Sequence, residues 1–165
     1  KYAEDIAKAV NGEVMDIKKF KSDMIDDYDN FVFGGRVMGS RIRSLEKFID
    51  HYDEMTEKGK NMIVFAVGMS LVTAQTRRDL ILSNILDNYH VRFYQLRGGF
   101  DYSKLSFTDK ILMNNSLRMI ANNPNATADQ QTLLTIRETP IEVYDQAGVE
   151  RIIKKIIELD KVVEA

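Results

Sequence analysis

The chain has 165 residues, 44% of them hydrophobic and 29% charged, with a formal net charge of −2. This length suits one domain able to bury its own core, and the slightly acidic balance excludes the basic footprint of a nucleic-acid binder. With no cysteine, a disulfide framework and Cys-ligated zinc or iron–sulfur clusters are excluded; having only 2 histidines argues against a His-rich metal site, and a reducing cytoplasm fits.

In chain order, "KYAEDIAKAV" places Ile6 and Val10, with Ala3 and Ala7, on one face of a helix that Asn11-Gly12 stops. "EVMDI" (13–17) predicts a short strand and "YDNFVF" (28–33) a second, ending on Gly34-Gly35. "SLEKFIDHYDEM" (44–55) predicts a helix, with Leu45, Phe48, Ile49 and Tyr52 at helical spacing. A buried strand at 62–67 follows and ends on Gly68. A helix through 76–89 and a strand at 91–96, closing on Gly98-Gly99, come next. Beyond residue 99 the rhythm breaks into helical segments near 107–122, 128–137 and 146–160. No apolar stretch approaches the ~20 residues that span a bilayer, which leaves a peripheral membrane contact and a homodimer open.

Strands alternating with helices through short connections predict an α/β fold, a doubly wound parallel sheet in a single domain over 1–165. In such a sheet every strand points its carboxyl end at one edge, and ligands bind in the crevice outside that edge. Glycines gathered there let backbone N–H and C=O groups approach a flat ligand, or simply let each strand turn into its helix. Gly34 and Gly39 have G-x-x-x-x-G spacing, but Ser40-Arg41 stands where a P-loop needs Lys-Ser/Thr. G-x-G-x-x-G is absent, and Gly34 stands where a phosphorylated receiver domain needs an Asp. No Ser/His/Asp or Cys/His constellation can be assembled from this chain.

"KYAEDIA", "DYDNFVFGG", "SLEKFI", "MIVFAVGMS" and above all "LRGGFDYSKLSF" resemble, in order and over nearly the whole chain, the bacterial flavodoxin-domain proteins that include menaquinone-dependent protoporphyrinogen dehydrogenase. The resemblance implies a flavodoxin-like sheet of order 2-1-3-4-5 that binds FMN between the loops after its third, fourth and fifth strands. Carried over by position, those loops contain Gly34, Gly35, Arg36, Val37, Met38 and Gly39, then Val67, Gly68, Met69 and Ser70, then Arg97, Gly98, Gly99 and Tyr102. Backbone groups there would meet the polar edge of the flavin ring, a carbonyl near Gly34 or Gly35 would accept from its reduced N5, and Arg97 would stabilise the anionic reduced ring or pair with Asp101. The family pattern after the third strand resembles G-G-G-I-Y-A-G, so Met38 replaces an aromatic platform with a flexible thioether. The family also begins with a strand and a phosphate-holding loop ahead of the first helix, which this chain lacks. The expectation is therefore that "EVMDI" is separated from the other strands by one missing strand.

The segment 100–123 exceeds usual connection lengths, and its capping-box-like start at Ser106 precedes widely spread apolar residues. It is expected either to pack on the sheet or to form a lid or docking surface beside the flavin, with Met113 and Met119 facing outward. Three functions remain open: an FMN oxidoreductase acting on a quinone or other small molecule, an FMN electron carrier serving a redox partner protein, and a flavin-free interaction module. No catalytic side chain and no metal ligand is assigned.

Overall fold

A computed structural model describes residues 1–163. Its strands are β1 (Asn30–Met38), β2 (Arg41–Ile42), β3 (Asn61–Gly68), β4 (Arg92–Phe100) and β5 (Ile141–Tyr144), in the sheet order β2-β1-β3-β4-β5. The helices are α1 (Tyr2–Ala9), α2 (Leu45–Ile49), α3 (Tyr52–Glu57), α4 (Ala74–Ser83), α5 (Phe107–Ala121), α6 (Ala128–Thr132) and α7 (Gln146–Val163).

β1, β3 and β4 are parallel neighbours, as the alternation predicts, with Asn30 opposite Asn61 and Ile63 opposite Arg92. β3 is the central strand, and its run from Met62 to Ala66 is buried throughout. Even and odd residues of that run feed different cores, because side chains alternate across a strand. Met62, Val64 and Ala66 join Phe31 and Phe33 of β1 against Phe48, Met55 and Leu80 from α2, α3 and α4. Ile63 and Phe65 join Leu96 on the opposite face, against Ile6 of α1 and Val149, Ile152, Ile156 and Leu159 of α7. Helices on both faces explain why the strands are apolar runs with little alternation.

The edges differ from the sequence expectations. "EVMDI" is not a strand: residues 13–16 have no strand partner, and Asp16 accepts from Lys18 N at 2.9 Å to start a single 3-10 turn at Ile17–Lys19. The outer strands are instead β2, which pairs antiparallel with Val37 and Met38, and β5, which pairs antiparallel with the carboxyl end of β4. The expected helix at 44–55 is divided between α2 and α3 at Asp50-His51, and the one at 76–89 ends at Ser83, with Ile85 left-handed at φ 56°. α4 starts earlier than expected, where Thr73 and Thr76 cap each other reciprocally.

The strands also run through most of the glycines that were expected to finish them. β1 continues past Gly34-Gly35 to Met38, and β4 past Gly98-Gly99 to Phe100; only β3 ends on its glycine, Gly68. Close packing explains two of them. A Cβ on Gly34 would lie 2.1 Å from Phe65 Cζ, and one on Gly98 would lie 2.4 Å from Val67 Cγ1, so only glycine lets these neighbours fill the space.

Candidate functional site

The parallel register gathers the predicted loops on one rim. Arg36 stands opposite Val67, Val67 opposite Leu96 and Gly68 opposite Arg97, so β1, β3 and β4 deliver their carboxyl ends side by side. Two polar contacts hold the rim together. Arg97 Nε donates to the Met69 carbonyl at 3.2 Å, fastening the loop after β3 to β4. The Arg36 guanidinium lies 3.2 Å from the Asp109 carboxylate in the first turn of α5, which brings the long insert beside the end of β1.

Backbone is accessible at the turn after β1. Gly39 is left-handed at φ 61°, and nothing lies within 4 Å of where its Cβ would be. Ser70, Leu71 and Val72 are exposed in the neighbouring loop after β3, and Arg43 Nη1 reaches the Met38 sulfur at 3.6 Å. Open backbone, apolar side chains and two guanidinium groups suit a flat ring that carries carbonyl and nitrogen atoms along one edge. The chemistry fits the isoalloxazine part of a flavin.

Several of the other assigned residues pack into the scaffold, while Gly34 and Gly99 stay exposed. Gly34 and Gly35 lie inside β1, and Gly35 is buried with Ile42 Cγ2 2.5 Å from its virtual Cβ. Gly98 is buried opposite Tyr144 of β5, and a Cβ on Gly99 would meet the Ile141 carbonyl at 2.8 Å. Tyr102 donates to Asn114 Oδ1 at 3.0 Å, fixing the start of the insert to the middle of α5. Val37 pairs with Ile42, which turns the chain sharply at Met38 through Ser40.

Charged groups elsewhere have local duties. Asp101 accepts from Ser103 Oγ at 2.6 Å, pairs with Lys104 at 3.2 Å and accepts from Ser103 N at 2.9 Å, contacts that hold its carboxyl below the usual range, the Ser103 hydroxyl bond first. Arg77 Nη2 donates to the Phe93 carbonyl at 3.0 Å, binding α4 to β4. His51 packs edge-on against Phe20, and His90 N donates to the Tyr52 hydroxyl at 2.9 Å. Among the described residues no group of three or more His, Cys, Asp or Glu could hold a metal ion, and no helix is long and apolar enough to cross a membrane.

A network at the same end of the sheet was not foreseen. The Tyr2 hydroxyl donates to the Arg97 carbonyl at 2.6 Å and accepts from Asp145 N at 2.7 Å, and its ring stacks on Tyr144 at 4.7 Å. Asp145 Oδ1 in turn accepts from Gly148 N at 2.8 Å at the start of α7. The network locks α1, β4, β5 and α7 together directly beneath Arg97. Its sequence signal was slight, because Tyr2 and Tyr144 stand at opposite ends of the chain.

The insert presents apolar surface. Phe107 is 81% and Met119 74% exposed, and Ile111 and Leu112 are exposed with them, whereas Leu117 is buried and Met113 half-buried. Of the two outward methionines expected, Met119 alone faces fully outward.

Comparison with characterised proteins and with solved structures returned no match. The sequence model of the flavodoxin domain matches residues 1–127, from α1 through β4 and α5 and short of β5 and α7. This match makes the chain a member of the flavodoxin-domain family, and the mixed sheet in the order β2-β1-β3-β4-β5 is consistent with its fold.

Proposed function

We propose that the protein is an FMN-binding oxidoreductase that passes electrons between the flavin and a quinone or similar small molecule. Flavodoxin domains generally bind FMN. The observation that carries the reading is the rim itself: Met38–Ser40, Met69–Val72 and Arg97 converge at the carboxyl edge of three parallel strands, where this architecture binds ligands. When bound, the flavin supplies the redox chemistry. The chain's own part is to hold and tune it. Backbone groups around Gly39 and Ser70 would meet the ring's polar edge, and Leu71 and Val72 would cover apolar surface. Arg97, held by Met69, would favour negative charge on the ring.

The long insert favours a small substrate over a simple carrier role. Its Arg36–Asp109 contact seats α5 at the rim, where it would restrict which molecules approach the flavin. The likeness of "LRGGFDYSKLSF" to the protoporphyrinogen dehydrogenase group supports a quinone as acceptor. A carrier serving a redox protein is the second reading, favoured by the exposed Phe107, Ile111, Leu112 and Met119 on α5.

Arg97→Gln tests the tuning role. The amide can still reach the Met69 carbonyl, but the positive charge is gone. The midpoint potential of bound FMN should fall, with little change in the affinity of the oxidised flavin; an unchanged potential would remove Arg97 from the site. Turnover of a soluble quinone analogue by the reduced protein, without any partner protein, separates enzyme from carrier.

A further inference from the structure

The hairpin of β1 and β2 sets like charges face to face. Met38 stands opposite Arg41, and one step along the pair is Arg36 opposite Arg43, joined by a hydrogen bond of 2.9 Å from Arg43 N to the Arg36 carbonyl. Side chains alternate across a strand, so Arg36, Met38, Arg41 and Arg43 share one face of the hairpin, while Val37 and Ile42 turn to the core on the other. The 3.6 Å contact between Arg43 Nη1 and the Met38 sulfur agrees with that grouping. Like charges directly opposite each other destabilise a sheet.

The hairpin is held against this repulsion from behind. Ile42 is buried in the core, and Asn84, the residue after α4, accepts from Ile42 N and donates to the Ser40 carbonyl, both at 2.8 Å. The backbone beneath the arginines is therefore fixed in place before any ligand arrives.

Of the three charges, the chain answers one. Arg36 pairs with Asp109, whereas Arg41 and Arg43, both exposed, form no ion pair with any described residue. Two guanidinium forks thus project from one strand face into the same space. A carboxylate suits a single guanidinium, as Asp109 does at Arg36. A phosphate monoester carries about two negative charges near neutral pH and three acceptor oxygens, which matches a pair of them.

We propose that Arg41 and Arg43, flanked by Arg36, form a receptor for the phosphate monoester group of a second ligand, one whose other end reaches the rim past Met38. If Met38–Ser40 meet the flavin ring, the ribityl chain carries the phosphate of FMN itself away from that part of the rim. The assignment to a second ligand rests on the reading of the rim as a flavin site; the anion receptor stands without it.

The test titrates the flavin-free chain with phenyl phosphate and follows its phosphorus NMR signal. Binding should saturate at one phenyl phosphate per chain and weaken at least tenfold in Arg41→Gln/Arg43→Gln, which changes exposed side chains only and should keep the parent's circular dichroism. Arg78→Gln/Arg151→Gln removes the same charge from exposed positions elsewhere and should bind as the parent does. No saturable binding by the folded parent, or equal weakening in the two variants, would overturn the proposal. Succinate that displaces phenyl phosphate as well as inorganic phosphate does would overturn the preference for phosphate. FMN and riboflavin then identify the source of the phosphate. FMN should leave phenyl phosphate bound, and Arg41→Gln/Arg43→Gln should alter the affinities of FMN and riboflavin to the same extent. Displacement by FMN but not by riboflavin, with loss of FMN affinity alone in the variant, would give the receptor to the flavin's own phosphate and overturn the second ligand. A parent that binds phenyl phosphate but neither flavin would contradict the reading of the rim and uphold the receptor.

Discussion

The Arg36 guanidinium and the Asp109 carboxylate, 3.2 Å apart, join the end of β1 to the first turn of α5 across an insert that is otherwise held by Tyr102 and Leu117. Asp109 is 15% exposed and Arg36 49%, so the pair is partly screened and contributes no more than ~1 kcal/mol. Its value is positional.

Arg36→Gln should therefore leave the melting temperature nearly unchanged and loosen α5. Limited proteolysis within 107–121 should quicken, and reduction of a quinone analogue should change in KM more than in the stability of FMN binding. Unaltered proteolysis and unaltered KM would mean that the contact does not position the insert.

Gly34 and Phe65 make a sharper stability test. The Phe65 ring occupies the place of a Gly34 side chain, so Gly34→Ala overpacks the sheet and should destabilise by roughly 1–3 kcal/mol. Phe65→Leu costs stability alone yet should relieve the clash, giving a strongly non-additive double-mutant cycle in urea melts. Additive costs would contradict the packing account.

This pair also shows what a sequence discloses and what it hides. The parallel strands were legible because β1, β3 and β4 are short apolar runs set between helical periods. α7 was legible because Val149, Ile152, Ile156 and Leu159 recur on one face. Gly34 does not end its strand as expected, and the packing reason for a glycine there is a phenylalanine thirty-one positions away, which no local pattern records. β5 is four residues long directly after Pro140, too short to show a period. "EVMDI" has strand composition but no neighbour to pair with, and strand character depends on pairing. At the rim, the loops were legible from the strand ends, whereas the Arg97–Met69 and Arg36–Asp109 contacts are tertiary and left no local signal.

The Tyr144–Asp5 contact predicts alkaline sensitivity. The Tyr144 hydroxyl donates to Asp5 Oδ2 at 2.6 Å, and this bond, aided by desolvation, pushes the phenol from 10.0 up to about 12. The folded state thus holds the proton more tightly than the unfolded chain. The resulting stability is fully present below pH ~10 and is lost as pH rises through ~12. In urea melts between pH 8 and 12, the wild-type advantage over Tyr144→Phe should shrink as the pH rises; a constant difference would show that the contact does not survive in solution.

Replacing residues 104–122 with a Gly/Ser linker separates retention from access. Phe107, Ile111, Leu112 and Met119 are exposed, so little of the sheet's core depends on them. The variant should stay folded and keep FMN while its electron transfer to quinone analogues slows. Loss of folding would assign the segment to the core, and unchanged transfer would remove it from the access path.

The central claim is that the rim of Met38–Ser40, Met69–Val72 and Arg97 holds FMN, and a fluorescence-quenching titration of the purified protein against its Leu71→Asp/Val72→Asp variant measures it most directly. Both substitutions fall on exposed positions, so folding should be preserved, as far-ultraviolet circular dichroism will report. The account predicts saturable binding of one FMN per chain by the parent and at least tenfold weaker binding by the variant. Equal affinities in parent and variant, or no saturable binding by the folded parent, would contradict it.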